Sequence, residues 1–565
     1  MKKILYFLFI GIAMSAVLSS CKDAEDDIDV LRPAKIDESS TPPFTVTVKV
    51  VDLQGRSVLN NLLTPFITAT FENQTFNCDE PPAKPLYSPN FHGLKRQDDY
   101  LQFGEFLGVY DFEKAELILN WDGHEKPDTI VFSNQQVEEN GKWTYKRTFW
   151  VNGKQVEGQI VLKKDLDKIM NEYGRDISLT NEQRERVQGI NTFGFKLFQQ
   201  MMADAETPYG STMASPMSVA YVLGMIADGA PLFDLTRTEI LKAMGFEDKA
   251  ATSELTEMDE LFKKLIVNIP KVDFQSKITM ANALFCRQEY PAAQLYIDHI
   301  ADVYKADYSV LDFTSPEALR TINDWSAQKT KGVIPQILDR IEDQAIAYFL
   351  NAIYFSGNWM TPFDEANTKE EDFTRKDGSK QKVDMMHQKL MMGYDANDTY
   401  TAVTTTMTSL QKYTMTFLLP NEGKTVEDVI QSLIDEPVNS FRIMGTLVTL
   451  SLPRFTIEAN HDKLIPELQK LGINRVFTDA NMNVIWPEYR GLYVSRMKQK
   501  TSIKVNEKGC EAAAVTIAEV AATATGEPIA PPEEYTFTAD RPFVFIIREG
   551  QTAANFFVGT YCGNK

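Results

Sequence analysis

Cysteine and histidine are scarce, five of each in 565 residues. So few cysteines build no disulfide scaffold, and so few histidines leave little material for metal sites or imidazole catalysis. Basic charge is in deficit too, with 58 Lys and Arg against 78 Asp and Glu and a formal charge of −20. That balance argues against a general binder of nucleic acid or anionic membrane, and no Lys/Arg cluster suggests a heparin site. HExxH, GxSxG and a glycine-rich phosphate loop are all absent from the sequence. Nothing therefore points to an enzyme, a cofactor or a resident metal. Beyond the first residues no run is long and apolar enough to span a bilayer. What is present is globular: 43% hydrophobic residues, ample for a core.

The N-terminus reads as an address. Lys2 and Lys3 precede a short apolar stretch, Ile4 to Ala13, then small residues and Cys21. This is the pattern of a secretory signal. Leu18-Ser19-Ser20-Cys21 resembles the bacterial lipobox, which implies lipidation of Cys21 and residues 1–21 as a lipoprotein signal peptide. The following KDAEDDID is similar to the acidic export signal of surface lipoproteins in Bacteroidetes-type bacteria. The expected location is the outer membrane or cell surface, with residues 22–43 as a polar tether.

From 44 to 164 short alternating runs dominate: FTVTVKVVD (44–52), FITATFE (66–72), AELILNW (115–121), TIVFS (129–133), WTYKRTFWV (143–151) and EGQIVLK (157–163). Asn140-Gly141 and Asn152-Gly153 are hairpin signals. The pattern predicts an antiparallel β-sandwich, with Trp121, Trp143 and Trp150 in its core rather than facing a ligand. Polar, helical sequence over 165–185 leads into a second domain, 186–565, of mixed α/β texture. There Phe193, Leu197, Phe198 and Met201 fall at helical spacing, and Pro216 opens the apolar SVAYVLGMIADGA.

Further on the segments become specific. ITMANALF (278–285), INDWSAQKTKGVIPQIL (322–338), FLNAIYFSGNWMTPFDEANTKEEDF (349–373), FTADRPFVFII (537–547) and NFFVGT (555–560) resemble, in order, elements of the serpin family of serine protease inhibitors. The resemblance covers roughly residues 185–565 and implies an α+β fold: three β-sheets, eight to nine helices and an exposed reactive loop, here preceded by the small all-β domain. It further implies a monomer whose partner is a target protease.

The loop lies within VNEKGCEAAAVTIAEVAATATGEPIAPPEEYTFTADRPF (505–543). From Cys510 to Thr525 there is no Pro, Gly, aromatic, Lys or Arg. Composition alone leaves an Ala-rich helix open. As a strand, one face is small and uncharged: Cys510, Ala512, Ala514, Thr516, Ala518 and Val520. Glu507-Lys508-Gly509 followed by Cys510-Glu511-Ala512-Ala513-Ala514-Val515-Thr516 resembles the serpin hinge, which enters the central sheet after cleavage. A buried charge or a missing N–H would stop that entry. Counting the family's spacing places the reactive bond between Thr523 and Ala524, flanked by the bait residues Val520, Ala521, Ala522 and Thr525. The resemblance also implies a shutter from Ser215, Ser218 and Asn351, with Gln499 where the family usually has His. It likewise implies a loop-entry region at Trp359 and Phe363, and Arg454 as partner of Glu507. Cys510 replaces the usual Thr or Ser, and its oxidation or pairing would block insertion, which makes it a candidate redox switch.

The expected function is suicide-substrate inhibition of elastase-like or subtilisin-like serine proteases, a cysteine protease being the further option. The rivals are a non-inhibitory serpin and a surface adhesin working through the β-rich domain. His387 among Met385, Met386, Met391 and Met392 hints at copper, but the paired methionines also resemble serpin core sequence.

Overall fold

A computed structural model describes residues 43–563 except 53–54, 57–58, 60–66, 80–81, 83–85, 99, 109, 122–124, 140–141, 165–175, 204–209, 247–255, 274–275, 409, 439, 463 and 511–533. The chain divides into two compact units, residues 1–170 and 171–565.

The first unit is a pair of sheets. In Phe44–Val51 the residues Phe44, Val46, Val48 and Val50 are buried while the residues between them are only half-buried, the signature of a strand with one face in a core. This strand runs antiparallel to Tyr100–Phe106 and parallel to Ile160–Lys163, so the all-antiparallel expectation needs correcting at one edge. The parallel pairing of Val48 with Ile160 is long-range and leaves no local turn signal to read. The second sheet has six strands, all antiparallel, built around Phe112–Trp121, Glu125–Glu139 and Lys142–Val151. Asn152 and Gly153 both take positive φ (50° and 80°), the conformation of a tight hairpin between Val151 and Lys154. The core between the sheets is aromatic: Phe71 lies 5.3 Å from Phe103, and Phe132 lies 5.4 Å from Phe106, ring centre to ring centre. Trp121 is fully buried and its Nε1–H donates to Asp128 at 2.8 Å, which makes it a core residue. Trp150 is half-buried.

The second unit is α+β. Its first helix, Asn181–Ala203, is preceded by a reciprocal cap: Gln183 N–H donates to Thr180 Oγ1 and Thr180 N–H to Gln183 Oε1. Of the expected helical linker of 165–185, residues 165–175 lie outside the described residues, 176–180 are irregular, and the helix begins at Asn181. Pro216–Asp228 is buried along its entire length, as a helix apolar all round must be. Ser215 caps it and Pro216 sits in its first turn. A Cβ at Gly194 would lie 2.4 Å from the Pro216 ring, so this glycine lets the two helices meet. Eight α-helices occur among the described residues.

Two sheets carry the unit. The larger has nine strands, with a spine of Tyr413–Pro420, Phe543–Glu549 and Asn555–Tyr561, whose residues are all buried. Such unbroken burial is that of strands covered on both faces. Two of the three expected sheets run into one another, because Lys380–Ala396 is long enough to pair with Thr446–Pro453 over one stretch and with Tyr400–Met407 over the next. The other sheet has the order Asp307–Leu311, Lys277–Arg287, Ala347–Asn358, Gly509–Cys510, Gln499–Asn506, Phe455–His461.

Candidate functional site

At the centre of the six-stranded sheet Gly509 and Cys510, the last described residues before 534, are hydrogen-bonded to a strand on each side: Gly357 and Asn358 on one, Val505 and Asn506 on the other. Among the described residues no ladder joins Ala347–Asn358 directly to Gln499–Asn506. Adjacent strands lie about 4.8 Å apart, so at Gly357–Asn358 and Val505–Asn506 these two are one strand's width apart. Gly509 is confined to glycine, since its φ is +149° and a Cβ would lie 2.3 Å from the Gly357 carbonyl oxygen.

The turn into this strand is held on all sides. The Asn506 side chain accepts from Lys508 N–H at 2.9 Å and Gly509 N–H at 3.3 Å. Trp359 Nε1–H donates to the Asn506 carbonyl at 2.8 Å, and Trp359 N–H to the Lys508 carbonyl at 2.9 Å. Phe363 N–H donates to the Glu507 carbonyl at 2.9 Å. The Glu507 side chain is buried, ion-pairs with Arg454 and accepts from Thr368 Oγ1 at 2.7 Å. Burial pushes the Glu507 carboxyl up, but the hydrogen bonds from Arg454 and Thr368 outweigh it and hold it below the usual glutamate range. Cys510 is fully buried, its Sγ 3.7 Å from Met415 Sδ.

Lower in the sheet the polar residues split into two groups. Gln499 and Ser215 exchange two bonds, Ser215 N–H to Gln499 Oε1 at 3.0 Å and Gln499 Nε2–H to the Ser215 carbonyl at 2.9 Å. Ser215 Oγ accepts from Ser218 N–H at 3.4 Å. Asn351 is elsewhere engaged: its Nδ2–H donates to Asn282 Oδ1 at 2.7 Å, and Asn282 in turn donates to the Tyr304 carbonyl at 2.8 Å. Among the described residues Asn351 Oδ1 is buried and has no hydrogen-bond partner. Ser215, Ser218 and Gln499 are therefore brought together, and Asn351 is not bonded to them.

Three further participants are not among the residues that the sequence singles out. Asn282 is detectable as the lone polar side chain within the apolar MANALF, and it is fully buried. Thr368 carries no signal of its own. His461 Nε2 lies 3.0 Å from the Met213 carbonyl, beside the Ser215 cap, at a place no spacing rule connects to it. His387 is committed to Ser451 Oγ (3.0 Å) and Glu371 Oε1 (2.9 Å), while Met385, Met386 and Met392 are buried core, so the copper hint dissolves. Cys21, hinge residues 511–516, bait residues Val520, Ala521, Ala522 and Thr525, and the bond between Thr523 and Ala524 lie outside the described residues.

This geometry agrees with comparisons to known proteins. Residues 188–563 match the family model described as Serpin (serine protease inhibitor). Human serpin B4 is 30% identical over 393 residues, covering 65% of this chain and 97% of its own. The native-state crystal structure of tengpin, a thermophilic serpin, is similar with a TM-score of 0.58 and 27% identity, covering 70% of this chain and 98% of tengpin. Human thyroxine-binding globulin, solved with thyroxine, gives a TM-score of 0.57 and 25% identity, covering 67% and 99%.

Proposed function

The chain belongs to the serpin family, whose members are protease inhibitors or non-inhibitory relatives rather than enzymes, and we propose that this one is an inhibitor that traps its protease. The observation that carries the reading is that Gly509 and Cys510 pair with a strand on each side, between two strands that are not laddered to each other among the described residues. The sequence that follows suits continuation along that line, with no Pro, Gly, aromatic or basic residue through Thr525. Extended, Cys510 to Thr523 would span roughly 46 Å.

In the proposed mechanism the protease's serine oxygen attacks the Thr523 carbonyl. The Thr523–Ala524 bond breaks, the Ala524 amine leaves with a proton, and an ester joins the protease to Thr523. Residues 511–523 then enter the sheet behind Cys510 and carry the protease with them. Distortion of the protease's site stops water from completing hydrolysis. New ladder bonds along the inserted strand make the step irreversible. This chain supplies no nucleophile. A small uncharged residue at the cut favours elastase-like or subtilisin-like enzymes with shallow pockets. The Cys21 lipid would hold the inhibitor at the cell surface, with residues 44–164 as a spacer.

Incubation with an elastase and with subtilisin, followed by denaturing electrophoresis, tests this. A covalent complex is expected, with mass spectrometry placing the cut at Thr523. Cleavage without any complex would overturn the trap and favour a binding role of the kind marked by the likeness to thyroxine-binding globulin, solved with thyroxine. Loss of labelled-palmitate incorporation in Cys21→Ala tests the anchor.

A further inference from the structure

Away from the central sheet, three helices bring a small polar cluster together. Asp228 ends the buried helix Pro216–Asp228, Asp259 lies in the first turn of Thr256–Asn268, and His299 sits within Gln294–Val303. His299 Nε2 is 3.0 Å from Asp228 Oδ2 and 3.8 Å from Asp259 Oδ2. One ligand atom from each residue lies within 4.8 Å of the other two. No motif announces this, because the three positions come from separate helices and are tens of residues apart in sequence.

The arrangement is hard to explain as ordinary core. The Asp228 side chain is only 3% exposed. Its Oδ2 accepts from Tyr304 Oη at 2.7 Å, but its Oδ1 is buried with no hydrogen-bond partner among the described residues, and so is Asp259 Oδ1. Asp228 also stands at a helix C-terminus, where the macrodipole is negative and a carboxylate is disfavoured. The Asp259 side chain is 16% exposed. The nearby positive charge is incomplete: Arg237 acts on both carboxylates from the neighbouring helix Leu235–Ala243, while Lys263 is taken by Asp302 at 2.7 Å.

We propose that Asp228, Asp259 and His299 form a binding site for one divalent transition-metal ion of the zinc class. The donor set decides the class: an imidazole nitrogen with two carboxylates suits zinc and its neighbours, whereas calcium and magnesium take oxygen ligands. Tetrahedral zinc with bonds of about 2.0–2.1 Å spaces its ligands about 3.3 Å apart, a value bracketed by the two separations at His299. His299 is 35% exposed, which leaves an entry path and an outer position for water. The ion ties the end of the buried helix to two outer ones. This assignment is independent of protease trapping.

The test titrates chelator-stripped full-length protein with Zn²⁺ alone against a chromophoric competitor, and with Co²⁺ for its visible spectrum. One ion per chain is expected, with a tetrahedral Co²⁺ band and a melting temperature raised by the metal. Both signals should be lost in His299→Ala and in Asp259→Asn, and kept in His387→Ala. Mg²⁺ and Ca²⁺ should not compete. If Asp259→Asn does not fold, the half-exposed His299→Ala decides alone. Absence of binding, or binding that survives in folded His299→Ala, overturns the site.

Discussion

Gln499 grips the backbone of Ser215 from both sides, accepting from its N–H at 3.0 Å and donating to its carbonyl at 2.9 Å. A side chain of the central sheet thereby fastens the residue that caps the buried helix Pro216–Asp228. Gln499→Ala removes both bonds and leaves buried groups of Ser215 unpaired, at a cost of about 2–4 kcal/mol. The expected outcome is a lower unfolding midpoint in urea and faster conversion to inactive forms on native gels. An unchanged midpoint would show that Gln499 does not fasten the helix to the sheet.

Gly509 tests the entry point of the sheet. Its φ of +149°, and the 2.3 Å that would separate an added Cβ from the Gly357 carbonyl oxygen, leave no room for a side chain. Gly509→Ala should therefore strain the pairing of Gly509 and Cys510 by about 1–3 kcal/mol. Kinetically, more protease should cleave and escape, so the number of inhibitor molecules consumed per protease trapped rises several-fold. Equal stoichiometry for variant and parent would count against entry at this point.

Much of the fold is legible in the sequence itself. Alternation in Phe44–Val51 and the apolar run that opens Phe543–Glu549 report one-sided and two-sided burial directly. The pairings that matter most to the site are not legible, because they are long-range and polar. Ser215 and Gln499 are 284 residues apart, and Asn282 and Asn351 are 69 apart. Family resemblance supplies the positions of Ser215, Asn351 and Arg454, but it implies one cluster where the chain builds two. Periodicity is equally silent on Asp228, since a polar residue at a helix end looks like an ordinary solvent-facing terminus.

The Arg454–Glu507 pair makes the hinge acid-sensitive. Glu507's carboxyl is held below the ordinary range, so its folded pKa is lower than its unfolded value of about 4.3. The resulting stabilisation is complete above the unfolded value and disappears as pH falls through the folded one. Conversion to inactive forms should be flat from pH 7 to about 5 and accelerate below about 4. Arg454→Ala should raise the rate at neutral pH, with a loss of about 1–3 kcal/mol, and flatten the acid response. A pH profile identical to the parent's would remove Arg454 from the hinge.

Cys510 is fully buried with its sulfur 3.7 Å from Met415 Sδ, and Cys78, Cys286 and Cys562 are buried too. Burial also pushes the Cys286 thiol up to about 12 and the Cys562 thiol up to about 11, far from reactive thiolate. Peroxide should therefore leave inhibition unchanged in the intact protein. Cys510→Ser should inhibit within about twofold of the parent, with a destabilisation of about 1 kcal/mol for the buried hydroxyl. Peroxide inactivation of the parent that Cys510→Ser resists would establish the redox switch that the buried geometry argues against.

Thr523 is the position where the proposed bait can be rewritten. The stretch from Cys510 to Thr525 has no basic residue, and trypsin-like pockets bind Lys or Arg through a buried carboxylate. Thr523→Arg should create inhibition of trypsin where the parent shows little, a gain of about a hundredfold or more in the association rate, and weaken inhibition of elastase. The hinge is untouched, so the trapped fraction should stay the same once cleavage begins. If trypsin is instead inhibited only after a neighbouring position is made basic, the reactive bond is displaced by that number of residues, and the length of chain available for insertion changes with it.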